Sequence, residues 1–238
     1  MTIRQAIPGP FKKILRPVFY AARKPDKYKK SLDFWRSRLD IDGGTFKNSH
    51  FERLMLGIAG EDSDRFLTGR ILADFGCGPR GSLVWAKSAA LRIGIDVLAG
   101  RYAEVFKSNL IGHGMIYLTS TESVIPLPSN YVDVMYTLNA IDHVDDFGLM
   151  CEEIIRVIKP GGELIGSFNI GEAPTVCEPQ LLTEEIVRDK LLRRFEIKSY
   201  RLANRGPEGD LYAGFFDLNS VYNGDQPGFL WVRGVKRE

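Results

Sequence analysis

With 238 residues, 44% of them apolar, the chain is long enough for one α/β domain with additions and a sizeable core. Its net charge of +2 argues against a chain-wide basic field of the kind nucleic-acid binding favours, and no run approaches the roughly 18 apolar residues of a membrane span. Three cysteines, Cys77, Cys151 and Cys177, are odd in number and lack C-x-x-C spacing, which speaks against a disulfide framework and a structural zinc site.

The charge is uneven. Residues 1–38 hold eleven Lys or Arg against two acids, Asp26 and Asp33, so a mildly acidic domain carries a basic arm. The arm, residues 1–30, is punctuated by Pro8, Pro10, Pro17 and Pro25. Phe11, Ile14, Leu15, Val18 and Phe19 interleave with Lys12, Lys13 and Arg16, a mixture that suits weak contact with an anionic membrane surface. Packing on the arm's own domain, or on a second copy in a homodimer, is the favoured reading, because Pro17 interrupts an interfacial helix. Met1 to Pro10 lacks the apolar core of a signal peptide, so a cytoplasmic location is expected.

Residues 31–238 read as a single domain with N-terminal helices in 31–69, a core over 70–170 and further elements over 171–238. Leu32, Trp35 and Leu39 predict a helix from Tyr28 to Leu39, which Asp42-Gly43-Gly44 breaks. Phe51, Leu54, Met55 and Ile58 predict a second from Ser49 to Ala59. These two helices either cap a ligand cleft or cover a sheet edge, and His50 reads as a helix-start residue without chemistry. The core then alternates: strand 70–75, helix 82–90, strand 92–96, helix 99–110 and strand 115–118. A loop from Thr119 to Asn130 leads to strand Val132–Leu138 and helix Phe147–Ile158, stopped by Lys159-Pro160-Gly161-Gly162. Strand 163–170, helix 183–194, strand 195–202 and a closing strand from Gly228 to Val235 follow. This pattern predicts an α/β fold: a doubly wound, mostly parallel Rossmann-like sheet with helices on both faces and an antiparallel closing strand.

Ligands in such sheets bind beyond the carboxyl ends of the strands. That rule selects residues 76–81, 96–102, 119–123, 139–146 and 169–182, and the Gly-rich stretch 204–227 reaches toward the same rim. The first of these is the most informative. In ILADFGCGPRGSL (71–83), an apolar run ends in Asp74 and is followed by Gly76, Gly78 and Gly81. Glycines let the backbone turn tightly against a ligand. The expected helix after them would offer unpaired N–H groups and the positive end of a dipole to an anionic or carboxylate group. Asp96 closes the next strand 20 residues after Gly76, where an acid meets ribose hydroxyls in such folds.

Four motifs in register resemble the class I S-adenosylmethionine-dependent methyltransferases, in particular the ubiquinone-biosynthesis-like group acting on small molecules. They are DFGCGPRG (74–81), GID (94–96), TESVIPLPSNYVDVMYTLNAIDHVDD (121–146) and EIIRVIKPGGELI (153–165). The resemblance covers about 70 to 170 and implies S-adenosylmethionine as cofactor. It implies that Asp74 orients the glycine turn and approaches the methionine amino group. Gly76, Cys77 and Gly78 would lie against the methionine part, with Gly81 displaced because Pro79 and Arg80 lengthen the turn. Asp96 would hold the ribose, Val97 would pack on adenine, and Asn139 would sit beside the methionine end. Thr121 stands where the family often has an Asp at the adenine edge, and Glu122 stands next to it. A nicotinamide dehydrogenase is the competing reading, but a carboxylate at Asp74 repels a pyrophosphate and favours an ammonium group.

Methyl transfer to a hydroxyl benefits from a base. His143, on the rim after strand 132–138, is the candidate, since an imidazole titrates near neutral pH. Asp142, Asp145 and Asp146 stand near it, and any one of the three could orient the ring; Asp142 is taken with His143 as a catalytic candidate. Acids at 142–146 are too closely spaced and turn-like for a metal set, so no metal is expected. Trp35 and Tyr102 are candidates to close over the cofactor. Glu172, Cys177, Glu178 and Tyr212 lie on candidate rim loops. The expected reaction is methyl transfer to a small-molecule or glycan-linked acceptor, most readily at oxygen. The alternative from a different class is a cofactor-binding regulatory or assembly subunit without chemistry.

Overall fold

The computed structural model describes residues 26–206 and 212–238. The membrane and second-copy readings of the basic arm fall chiefly on residues 1–25, which lie outside the described residues. Among those described, no helix is long and apolar enough to cross a membrane.

Helix α1 occupies 26–41 and α2 His50–Ala59. The alternation follows: β1 Ile71–Phe75, β2 Leu91–Asp96, α3 Ala99–Val105, α4 Lys107–Ile111 and β3 Ile116–Thr119. Then come β4 Val132–Leu138, α5 Phe147–Val157, β5 Ile158–Ile170, α6 Glu184–Lys190, β6 Phe195–Asn204, α7 Ala213–Phe216 and β7 Gly228–Lys236. The seven strands form one sheet in the order β3-β2-β1-β4-β5-β7-β6. Pairing is parallel from β3 to β5, and β7 inserts antiparallel between β5 and β6. The order reverses between β1 and β4, the crevice where open α/β sheets bind ligands.

Successive strand residues point to opposite faces, and the core divides accordingly. Ala73, Met135, Leu164 and Leu230 pack under α5 and α6. Their neighbours Leu72, Val134, Ile165 and Trp231 pack on the other face with Leu54, Met55 and Ile58 of α2. Helix α1 joins neither layer. Its Leu32, with Tyr28, Trp35 and Leu39, packs with Phe46, Tyr102, Phe106 and Leu110 around α3 and α4. Of the two placements open for the first helix, α1 takes the one over the ligand cleft.

Three elements depart from the expected pattern. Residues 82–90 are a series of turns rather than a helix. The Arg92 guanidinium donates to the carbonyls of Leu83 and Val84, at 3.4 and 3.0 Å, and the Leu83 carbonyl also closes a single turn with the Ala86 N–H at 3.2 Å. Downstream, Ser88 N–H is held by Asp64 and Ala90 N–H by the Arg70 carbonyl. Second, the helix expected over 99–110 divides at the buried Phe106. Third, β5 begins at Ile158, so the Pro-Gly-Gly turn is the irregular start of the strand, beside a register shift in its pairing with β4.

Candidate active site

Beyond the carboxyl ends of β1, β2, β4 and β5 lies a cleft of about 580 Å³. Asp74, Gly76, Cys77, Asp96, Val97, Thr121, Glu122, Asn139 and His143 all line it. Gly76 has φ +76°, and a Cβ there would meet the Ala140 Cβ at 2.0 Å. The glycine turn therefore passes against the turn after β4 with no room for a side chain. Gly78, at φ +55°, is covered by the Trp35 ring, which a Cβ would meet at 2.5 Å. Gly81 lies against His113 and does not line the cleft, so its expected place at the ligand is not where the structure puts it. Cys77 lines the cleft while its sulfur packs over Gly94, and burial pushes its thiol well up.

Two buried carboxyls define the floor. Asp96 is tied at both oxygens: Oδ2 accepts the Gly78 N–H at 3.1 Å and Oδ1 the Leu98 N–H at 2.8 Å. Each oxygen keeps acceptor capacity for a hydroxyl, and its orientation is set before any ligand arrives. Asp74 accepts from the Ser82 hydroxyl. Burial, with the Asp96 charge adding to it and the Ser82 bond opposing, pushes its carboxyl up to about 7. That is the environment of an acid waiting for a cation.

The adenine-edge expectation changes. Thr121 Oγ1 accepts the Ser123 and Val124 amides, which closes its own turn. Glu122 Oε1 takes Lys27 Nζ at 2.9 Å and the Tyr28 hydroxyl at 2.7 Å, and Oε2 takes the Asp145 N–H at 3.2 Å. These cationic and hydrogen-bonding partners outweigh burial and hold its carboxyl below the usual range. Glu122 is thus the bracket that seats α1 over the cleft, and both side chains line that cleft with these bonds in place. Lys27 also reaches Asp145 at 3.3 Å.

The rim after β4 is built by long-range contacts. Asn139, at φ +48°, accepts from Ser167 Oγ and donates to the Tyr212 hydroxyl, both at 2.8 Å. His143 Nε2 lies 3.6 Å from Glu178 Oε1, both half-buried and both on the cleft. Asp142, a catalytic candidate from the sequence, is buried and does not line the cleft; its Oδ2 accepts from Asn169 at 2.6 Å. Asp146 caps α5 by accepting the Leu149 N–H. The cleft-lining carboxylate that approaches the His143 ring is therefore Glu178, 35 residues on. Asp142, His143 and Glu178 nevertheless offer donor atoms within 4.8 Å of one another, a grouping the local spacing of the acids did not reveal. Beyond these, Phe34, Phe51, Asn169, Glu172, Arg205 and Tyr212 line the same cleft. His50, expected to be without chemistry, lines it too.

These features fit an adenosyl amino acid: a preset carboxylate for the sugar, a bare backbone turn, and a buried acid for an ammonium. The comparisons agree. Residues 73–166 match the family described as methyltransferase domain. Among solved structures, the fold is shared with the [4+2]-cyclase SpnF at 19% identity, covering 78% of this chain and 80% of that one, with a TM-score of 0.57. An S-adenosylmethionine-dependent methyltransferase from Mesorhizobium loti matches at 18% identity over 71% of this chain and 92% of that one, with a TM-score of 0.54. A chain of the Haloferax volcanii complex between the Trm112 methyltransferase activator and a methyltransferase matches at 15% identity over 89% and 98%, with a TM-score of 0.62. No curated protein matches the sequence.

Proposed function

We propose that this chain, which matches the methyltransferase domain family over residues 73–166 and shares the fold of S-adenosylmethionine-dependent methyltransferases, uses that cofactor to methylate a hydroxyl oxygen of a small-molecule or glycan-linked acceptor. The observation that carries this is His143, 3.6 Å from Glu178, in the cleft that also holds Asp74 and Asp96. The cofactor, when bound, supplies a methyl group already activated on a sulfonium. The protein's own task is to align the acceptor and manage one proton. Asp96 holds the ribose hydroxyls, Asp74 the ammonium, and Val97 packs on adenine. His143 accepts the hydroxyl proton, with Glu178 stabilising the imidazolium. Asn169, Glu172 and Arg205 offer the polar groups that a polyhydroxylated acceptor needs, and Phe34, Phe51 and Tyr212 the apolar faces. Holding reactants in attack geometry contributes about 7–11 kcal/mol in favourable cases.

Labelled cofactor offered with panels of sugars, phenols, amines and thiols tests the assignment. Label on oxygen is expected, and turnover confined to amines or thiols overturns it. The structural likeness to a [4+2]-cyclase favours one second reading, since the fold also hosts other chemistry. Tight cofactor binding with no methylated product from any acceptor would support a binding subunit instead.

Asp74 gives a pH signature. Its folded value, about 7, lies above the unfolded 3.8, so the ligand-free protein loses this group's stabilisation as the pH rises through that window. A bound ammonium favours the ionised form. Binding of S-adenosylhomocysteine, followed by calorimetry in buffers of different ionisation heat, is expected to tighten as pH rises toward about 7 and to release a proton below it. Asp74→Asn should weaken binding and remove the proton release.

A further inference from the structure

An amino-acid end carries two charges, and Asp74 answers only the ammonium. A helix N-terminus, with its free N–H groups and positive dipole, is a general backbone answer to such an anion, and the sequence predicts a helix after the glycine turn. That helix is missing here, because 82–90 runs as turns. The position next to the glycine turn is instead occupied by Arg80, which lines the cleft. One of its terminal nitrogens is held by Asp42 at 2.7 Å, and the side chain is only 12% exposed. Its Nε is buried and has no acceptor. An orphaned guanidinium donor is costly unless a partner arrives. His50 and Arg38 line the same cleft. Burial first, then the Arg80 charge, depress the His50 imidazole, with Asp42 opposing and Arg38 adding. The region is therefore cationic even with Asp42 in place.

We propose that Arg80 forms a carboxylate subsite: its guanidinium binds the α-carboxylate of the cofactor's amino-acid portion, replacing the helix terminus that this chain lacks. Asp42 presets the guanidinium from the α1–α2 connection, and Asp74 and Arg80 together read a zwitterionic α-amino acid. The inference rests on the use of S-adenosylmethionine and is independent of the acceptor atom.

The test pairs two ligands with two variants, read by calorimetry without turnover. The ligands are S-adenosylhomocysteine and its decarboxylated analogue, which keeps the ammonium and loses only the carboxylate. The parent should prefer the first by about 10- to 100-fold, the range of a hydrogen-bonded charge. Arg80→Met should erase that preference by weakening S-adenosylhomocysteine alone. Asp42→Asn, which unties the bridge and keeps the guanidinium, should retain most of it. Equal affinity of the parent for both ligands overturns the proposal even if Arg80→Met does not fold. Equal weakening of both ligands in Arg80→Met would make Arg80 a strut between the turn and Asp42. A parent that binds neither ligand would instead refute the cofactor assignment.

Discussion

Asp96→Ala is expected to weaken S-adenosylhomocysteine binding about 10²–10⁴-fold, by removing two hydrogen bonds to a charged acceptor worth about 1.5–3 kcal/mol each. The carboxylate does two things at once. It presents acceptors toward the sugar, and it anchors the glycine turn through the Gly78 amide at 3.1 Å and the start of α3 through the Leu98 amide at 2.8 Å. Alanine leaves both amides unpaired in a buried site. Asp96→Asn separates the roles, because its carbonyl can keep one amide while its NH₂ can only donate. The asparagine variant should bind with intermediate affinity and lose less thermal stability than the alanine variant, because one of the two amides keeps its acceptor. If Asp96→Ala captures the nucleoside as tightly as the parent, the ribose assignment fails and the cleft holds something else.

The parts of this site that were legible in sequence are those built from neighbours along the chain. Asp74, Gly76 and Asp96 belong to consecutive strand ends, and a parallel sheet aligns such ends along one rim without further information. The mostly parallel sheet with its antiparallel closing strand followed from the same alternation. Other features of the site depend on partners that a local reading does not reach. Ser82 to Ala90 contains good helix formers, yet Arg92 donates to the Leu83 and Val84 carbonyls and the stretch runs as turns. Glu122 stands on the cleft as expected, yet it also accepts from Lys27 and Tyr28, more than ninety residues earlier. No local spacing announces such a bracket. Arg80 was visible only as an insertion that lengthened a turn. Its orphaned nitrogen became evident once Asp42 and the cleft wall were in place.

His143→Ala is expected to lower turnover on a hydroxyl acceptor by about 10²–10⁴-fold, the range of a positioned base. Binding of S-adenosylhomocysteine should stay within a few-fold of the parent. Glu178→Gln should lower turnover less, since the imidazole remains and only its charge partner is lost. Full turnover in His143→Ala with intact cofactor binding would leave alignment alone as the source of the rate. The same three side chains pose a competing explanation, because Asp142, His143 and Glu178 place donor atoms within 4.8 Å. A divalent ion held there would activate the hydroxyl as a Lewis acid, and His143→Ala would then fail for a different reason. The cleft lining favours the base: of the three, only His143 and Glu178 reach the cleft, while Asp142 is buried and gives one oxygen to Asn169 at 2.6 Å. Chelation separates the two. Turnover that persists in EDTA and does not respond to added Mg²⁺ or Mn²⁺ is the expected result. Loss of turnover in EDTA with recovery on adding either ion would transfer the activating role from the imidazole to a metal.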